Sequence, residues 1–393
     1  GPRSVAWPVA ASARIAPRRA GLKAHMHGPR LRRGLVAGLL AASLAWSLGP
    51  SAPALTLLPL PHGAKAATAQ KFPFIQSDDA RVPARINHWL FLEIFEMPAP
   101  ARATGGLREV NDQAWQNMPD LGYTVLRNDA RVLSLRIDGE GCGAYCESFT
   151  YPHGFAAATG RHLEADDLFT PQGLQALTGK IDANNTATLR KEIAALQRGK
   201  TKATPRAKGG LTAEDQDAVI GLYEDCLSRW DAAHRTTGSV GRMAIEAGAV
   251  RFSQDRCSNH ASRALDSVGE FSTRMPLAHP KRLLTGHGRM LLLGEGTAAA
   301  PTSPFGQVLR GTIDGRLPVT MRLPSLSADG PVHATYFYDR YREPISVSGD
   351  YRDGVLTLEE SESKARLRLR AEGSTLRGEW RQAPKTLPLV LAP

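Results

Sequence analysis

Three Asp-Gly dipeptides, Asp314-Gly315, Asp329-Gly330 and Asp353-Gly354, punctuate the last 89 residues of this chain. Asp-Gly between runs of alternating polarity is a hairpin signal, because both residues accept the positive φ that a tight antiparallel turn needs. The runs alternate as required. Leu317, Val319, Met321 and Leu323 share one face, against Arg316, Thr320 and Arg322 on the other. Ala365, Leu367 and Leu369 repeat the pattern against Arg366, Arg368 and Arg370. Counting such runs gives about eight strands, ending at Leu387–Leu391. Antiparallel strands in chain order describe a meander that closes into a small barrel or folds into a sandwich.

A different pattern precedes them. Residues 294–304 (GEGTAAAPTSP) have no apolar period and read as a linker. Upstream, residues 67–293 mix helical and strand periods and read as an α/β domain. Arg85–Glu96 reads as a short helix running into a strand. Tyr123–Leu126, Val132–Ile137 and Glu147–Phe155 read as strands, with a bend at Glu140–Cys146. Thr170 caps a helix that has Pro171 at its first position, where a missing N–H costs nothing. Thr188–Gln197 and the run after Thr212 read as two more helices. Met243–Gln254 reads as a hairpin, and a short helix is expected through Ala261, Leu265 and Val268. The fold class is therefore α+β: an α/β domain stapled by disulfides, then an all-β antiparallel domain at 305–393.

The formal net charge of +11 suggests a polyanion partner, but its distribution argues otherwise. Residues 1–66 hold nine Lys or Arg and no acidic residue, so 49 minus 9 leaves 40 basic against 38 acidic residues. Nucleic acid is not an expected partner. The basic segment has the build of a secretory leader: Arg30, Arg32 and Arg33 after Met26, the apolar run Leu35–Leu48, then small-residue patterns. Cleavage is expected between Ala54 and Ala69, at Ala52-Pro53-Ala54, Ala64-Lys65-Ala66 or Ala67-Thr68-Ala69. The run is short for a membrane span, and none is expected after cleavage. The expected location is periplasmic or secreted.

Cys142, Cys146, Cys226 and Cys257 make an even set, which suits an oxidising compartment. The favoured pairing is Cys142–Cys146 and Cys226–Cys257, the rival being a four-thiolate zinc site. No metal or other cofactor is expected, because His153, His279 and His287 lack ligand spacing. Catalytic candidates are few. Glu140, Asp167 and His260 are the residues an acid/base mechanism would use. Asp167, with Glu164 and Asp166, also fits helix-entry chemistry. An enzyme is thus less favoured than a binding protein. Arg366, Arg368 and Arg370 form a basic stripe that is either a binding face or a solvated one.

A resemblance adds to this reading. It rests on Ile86-Asn87, the strand Val132–Ile137, the Gly143-Ala144 bend, Thr159-Gly160-Arg161-His162-Leu163, and Asp167-Leu168-Phe169 before a helix. Residues 85–293 so marked resemble a domain of unknown function. It occurs as the accessory region of certain peptidoglycan deacetylases and as the extracellular part of lysozyme-sensing anti-sigma factors. Where that family has a Gly-Gly-Ala-His bend, this chain has Cys142-Gly143-Ala144-Tyr145-Cys146. The resemblance implies a module facing peptidoglycan or a lysozyme-like protein, and no reaction; an envelope hydrolase is the alternative. Gly378-Glu379-Trp380 also resembles the strand of calycin-like barrels in which a Trp plugs one mouth.

Overall fold

The computed structural model describes residues 55–61, 71–103, 118, 120–143, 146–200, 211–237, 240–278 and 281–393. Expectations that fall on residues 1–54, on the small-residue patterns within 64–69, on Ala144 and Tyr145 and on His279 lie outside these.

Among the described residues the first element is β1 (Thr56–Pro61), paired antiparallel with β2 (Lys71–Gln76). Leu55 and Leu60 are buried in the core. Helix α1 (Arg81–Ile94) follows. The strand expected at its end is helical instead. Its aromatic density reflects a helix covered on several sides, with Val82, Ile86, Trp89, Leu90, Phe91 and Ile94 all buried. Pro83 sits in the first turn, where it removes no intrahelical bond. Asn87 fastens α1 to β2. Its Oδ1 accepts from the Ile75 N–H at 2.8 Å and its Nδ2 donates to the Ile75 carbonyl at 2.9 Å.

A three-stranded meander comes next, with β3 (Asp120–Asn128), β4 (Val132–Cys142) and β5 (Cys146–Ala156). The Asp129 carboxylate turns β3 into β4 by accepting from the Arg131 and Val132 N–H groups. The one-turn helix α2 (Ala165–Leu168) follows. Next is α3 (Pro171–Lys200), a single helix of 30 residues where the sequence suggested two. Thr170 Oγ1 caps it, accepting from Gly173. Helix α4 (Ala213–Thr237) packs along α3, with Leu189, Val219 and Tyr223 buried between them. A second meander contains β6 (Arg242–Ile245), β7 (Ala249–Gln254) and β8 (Phe271–Pro276). The helix expected near Leu265 is only a 3₁₀ turn, Arg263–Leu265, organised by Asp266, which accepts from Ser258 and Gly269. Helix α5 (Gly286–Leu293) closes this half.

The remaining strands are β9 (Gln307–Ile313), β10 (Leu317–Leu323), β11 (Gly330–Tyr338), β12 (Ile345–Arg352), β13 (Val355–Glu360), β14 (Arg366–Glu372), β15 (Thr375–Gln382) and β16 (Lys385–Ala392). Each pairs with the next, and β16 returns to β9, so the meander is a closed barrel. Alternation fills the interior with Leu309, Met321, Leu358, Leu367, Leu369 and Leu389. Closing so few strands needs sharp coiling. Gly311, Gly349 and Gly378 permit it: a Cβ there would lie 1.7, 1.9 and 2.0 Å from a carbonyl oxygen of the neighbouring strand. Trp380 lies inside the wall, its indole N–H donating at 3.1 Å to the buried Glu360 carboxylate. Tyr336 and Ser363 donate to the same carboxylate, so the acid is satisfied without a cation.

Both disulfides form as favoured, Cys142–Cys146 across the end of the β4–β5 hairpin and Cys226–Cys257 joining α4 to the loop after β7. Among the described residues, no helix is long and apolar enough to cross a membrane.

Asn87→Ala leaves a buried N–H and carbonyl of Ile75 unpaired. We expect a loss of about 2 kcal/mol or more in stability by urea unfolding, and an unchanged midpoint would refute the role given to this side chain.

Candidate functional site

The two halves meet at a polar joint built on Thr159–Leu163. Gly160 takes a positive φ of 74°, which turns the chain back after β5. A side chain there would press on Arg85 and the Val82 carbonyl of α1. Arg161, buried, is held at both ends. One nitrogen donates to Asp167 at 3.0 Å, the other to the Ser303 carbonyl at 3.1 Å. The His162 N–H donates to the Gly306 carbonyl at 2.9 Å, at the entrance to the barrel. The motif carrying the resemblance thus docks the linker and β9 onto the α/β half.

Around it α1 lies against the outer wall of β9–β11. Val308 leaves the barrel and joins the core beneath α1, and Phe337 meets His88 at a ring separation of 5.2 Å. Trp89 stacks on His162 at 4.4 Å, nearly parallel, while the Arg322 guanidinium lies 4.5 Å from the same indole. Arg322 also pairs with Glu93. His153 Nδ1 stands 3.4 Å from His162 Nε2, and His162 Nδ1 lies 3.1 Å from a Glu164 oxygen. The second contact is within ion-pair distance but outside hydrogen-bond geometry. Burial raises the Glu93 carboxyl, but Arg322, His153 and His162 together outweigh it and hold the group below its ordinary value.

The imidazoles respond to the same burial. Desolvation lowers His153 to about 4, helped by His162 and Arg322 and opposed by Glu93 and Glu164. Desolvation lowers His88 to about 4 as well, helped by Arg342 and Arg310. His88 Nδ1 accepts from the Ala99 N–H at 3.1 Å, so a proton there would displace a bond. His287, buried on α5, is lowered chiefly by desolvation.

The residues singled out by sequence fall in three places. Asp167 is buried in the joint, pairing with Arg161 and accepting from the Glu164 N–H at 3.0 Å, the helix-entry role. Glu140 and His260 stand at the other end of the β4–β5 hairpin. Glu140 pairs with Ser148, while His260 approaches Glu147 at 3.5 Å. Leu163 bonds Gly154, six positions along β5 from Ser148. At ~3.3 Å per residue that separates Asp167 from Glu140 by roughly 20 Å. The three do not form an acid/base pair, whose carboxyls lie within ~10 Å.

Arg366, Arg368 and Arg370 stand on the outer face of the barrel, and there the structure is concave. A depression of about 460 Å³ is lined by Arg368, Arg370, Arg377, Glu379, Thr386 and Pro388. Arg366 is paired with Glu359 at 3.0 Å, Arg377 with Glu372 and Arg381 with Glu379, both at 3.3 Å. Among the described residues neither Arg368 nor Arg370 makes an ion pair, although Glu379 stands directly across from Arg368. Arg370 lies directly across from Arg377, a like-charge pair that costs stability. Sequence reading found the stripe but not the concavity, nor Arg377's place in it. It placed Arg322 on an outward face but did not bring it to Trp89 and Glu93, since Arg322 and Glu93 are 229 residues apart.

No family model matches this sequence, and no curated protein matches it. A crystal structure of a member of the DUF3298 family from Bacteroides fragilis aligns with 62% of this chain and 97% of that chain, at 13% identity and a TM-score of 0.35. A likeness this distant carries no argument about fold or site.

The buried imidazoles set a pH dependence. Unfolded histidines take protons near 6.5 and these two only near 4, so the unfolded state binds more protons between those values. Stability is therefore lost as pH falls through that window. We expect a loss of about 2 kcal/mol per histidine by pH 5. Urea midpoints of the native chain and of His153→Gln between pH 7 and 5 test this; equal slopes for both would contradict it.

Proposed function

We propose that this chain is an exported binding protein that holds an anionic cell-envelope ligand on the outer face of its barrel. One observation carries the reading: at the edge of a depression three arginines gather around one carboxylate, Glu379 across from Arg368 and already paired with Arg381, while Arg370 faces Arg377 and makes no ion pair among the described residues. Like charges placed side by side are unfavourable until an anion arrives, and arginine forks suit carboxylate or phosphate. Of the partners that the resemblance of residues 85–293 implies, a carboxylate-bearing cell-wall glycan fits this face; a basic protein such as lysozyme does not. The intact chain would be titrated with soluble peptidoglycan fragments and with the same fragments after carboxyl amidation. We expect Arg368→Ala/Arg370→Ala to weaken binding about tenfold or more, and added salt to weaken it further. Arg366→Ala, which removes an arginine already paired, serves as the control. Equal affinity of the double variant, or equal binding of amidated fragments, would overturn the reading.

Export is part of the proposal, supported by two disulfides and by the basic, apolar N-terminal segment. β1 restricts where the leader ends. Cleavage after Ala66 or Ala69 would remove Leu55, whose carbonyl accepts from Asn128, and with it β1, whose Leu60 is buried. We therefore expect cleavage after Ala52-Pro53-Ala54. The mature chain should then begin at Leu55 by intact mass of the exported protein, and a start at residue 67 or 70 would be the contrary result.

A further inference from the structure

The free end of the β4–β5 hairpin carries a separate chemistry. We propose that Glu140, Cys142 and Cys146 form a redox-gated site for a thiophilic divalent cation of the Zn²⁺ type. Alternation along β4 puts Glu140 and Cys142 on one face. The register places Cys146 directly across from Cys142, and Ser148 across from Glu140. One carboxylate oxygen and the two sulfurs accordingly lie within 4.8 Å of one another. The carboxylate oxygen is thus near enough to share one ion with the sulfurs, once reduction lets these part to the separation that bonds of about 2.3 Å to a single ion require.

The sulfurs are joined in the structure, and this bond is the gate. Cys146 is exposed and Cys142 half-buried, whereas Cys226 and Cys257 are both buried. A dithiol reductant therefore reaches the hairpin bridge first. One of its thiolates attacks a cysteine sulfur, breaking the S–S bond and forming a mixed disulfide. Its second thiol resolves that bond. Two electrons pass to the protein, which leaves as two cysteine thiols, and the reductant leaves as its own disulfide. The cation then binds both sulfurs as thiolates, releasing two protons, and takes the Glu140 carboxylate as third ligand; water fills the fourth position. Two soft thiolates with one carboxylate favour Zn²⁺ over hard cations such as Mg²⁺. His260 is outside this set. It approaches Glu147, which lies across from Gly141 and so on the opposite face.

The test uses the intact chain, Co²⁺ as a spectroscopic probe and Zn²⁺ as its competitor. Mild dithiothreitol, removed anaerobically, should release two titratable thiols from the native chain and none from Cys142→Ser/Cys146→Ser. The reduced chain should then bind one Co²⁺ with a thiolate-to-cobalt absorption band that Zn²⁺ abolishes. The oxidised chain and the double serine variant should bind at least ~100-fold more weakly, and Glu140→Gln about tenfold more weakly with the band retained. A reduced chain without that band, or equal Co²⁺ binding by the oxidised chain or the double variant, overturns the proposal. Serine replaces cysteine at an exposed hairpin end, and an unchanged urea midpoint separates loss of ligands from loss of fold.

Discussion

Arg161 and Asp167 are both buried, and each is expensive to bury alone. Their ion pair lets one short stretch bind the two halves of the molecule. Arg161 reaches the linker through Ser303, and Asp167 closes the turn into α2. Their neighbour His162 meets the barrel through Gly306 and stacks on Trp89. Breaking the pair would leave an unmatched charge under the seam, and the packing of α1 on β9 rests on the same seam. The joint is rich in titratable groups, yet its chemistry is cohesive: aromatic faces carry cations, and carboxylates answer arginines.

The barrel is closed by different means. Glycine at three tight crossings lets the wall coil, and alternation then sends every second side chain outward. Where α1 covers the wall, the outward residues are Val308, Arg322 and Phe337, all drawn into contacts with the helix or its core. Where no described residue covers it, on β14–β16, they are arginines in excess of their acidic partners. One alternating pattern therefore produces both a face that packs on α1 and an arginine-rich face, and tertiary position separates them.

Much of the fold was legible in residue order. Asp-Gly turns and period-two runs identify the strands of the barrel, and Thr170-Pro171 and Thr212 with Asp215 start helices where the caps are observed. Local rules failed where burial is all-round or where a loop is held from afar. Helix α1 looked partly like a strand because tertiary packing buries several of its faces. The segment near Leu265 looked helical, but Asp266 accepts from Ser258 and Gly269 and organises a tighter turn. The apolar residues of β1 continue the composition before them, and it is pairing with β2 that makes them a strand.

For the sites the division is sharper. Sequence determined the Cys142-x₃-Cys146 bracket, the Arg366–Arg368–Arg370 stripe and the role of Asp167 at a helix entry, because each is a matter of spacing within one element. Tertiary structure decided the rest. It set Arg377 opposite Arg370 and hollowed the surface between them. It also brought Arg322 to Trp89 and Glu93, and parted Glu140 from Asp167 along the length of a strand. Period and spacing act within a few residues of chain, whereas charge pairing and concavity depend on strand register and closure, which bring together residues far apart in sequence.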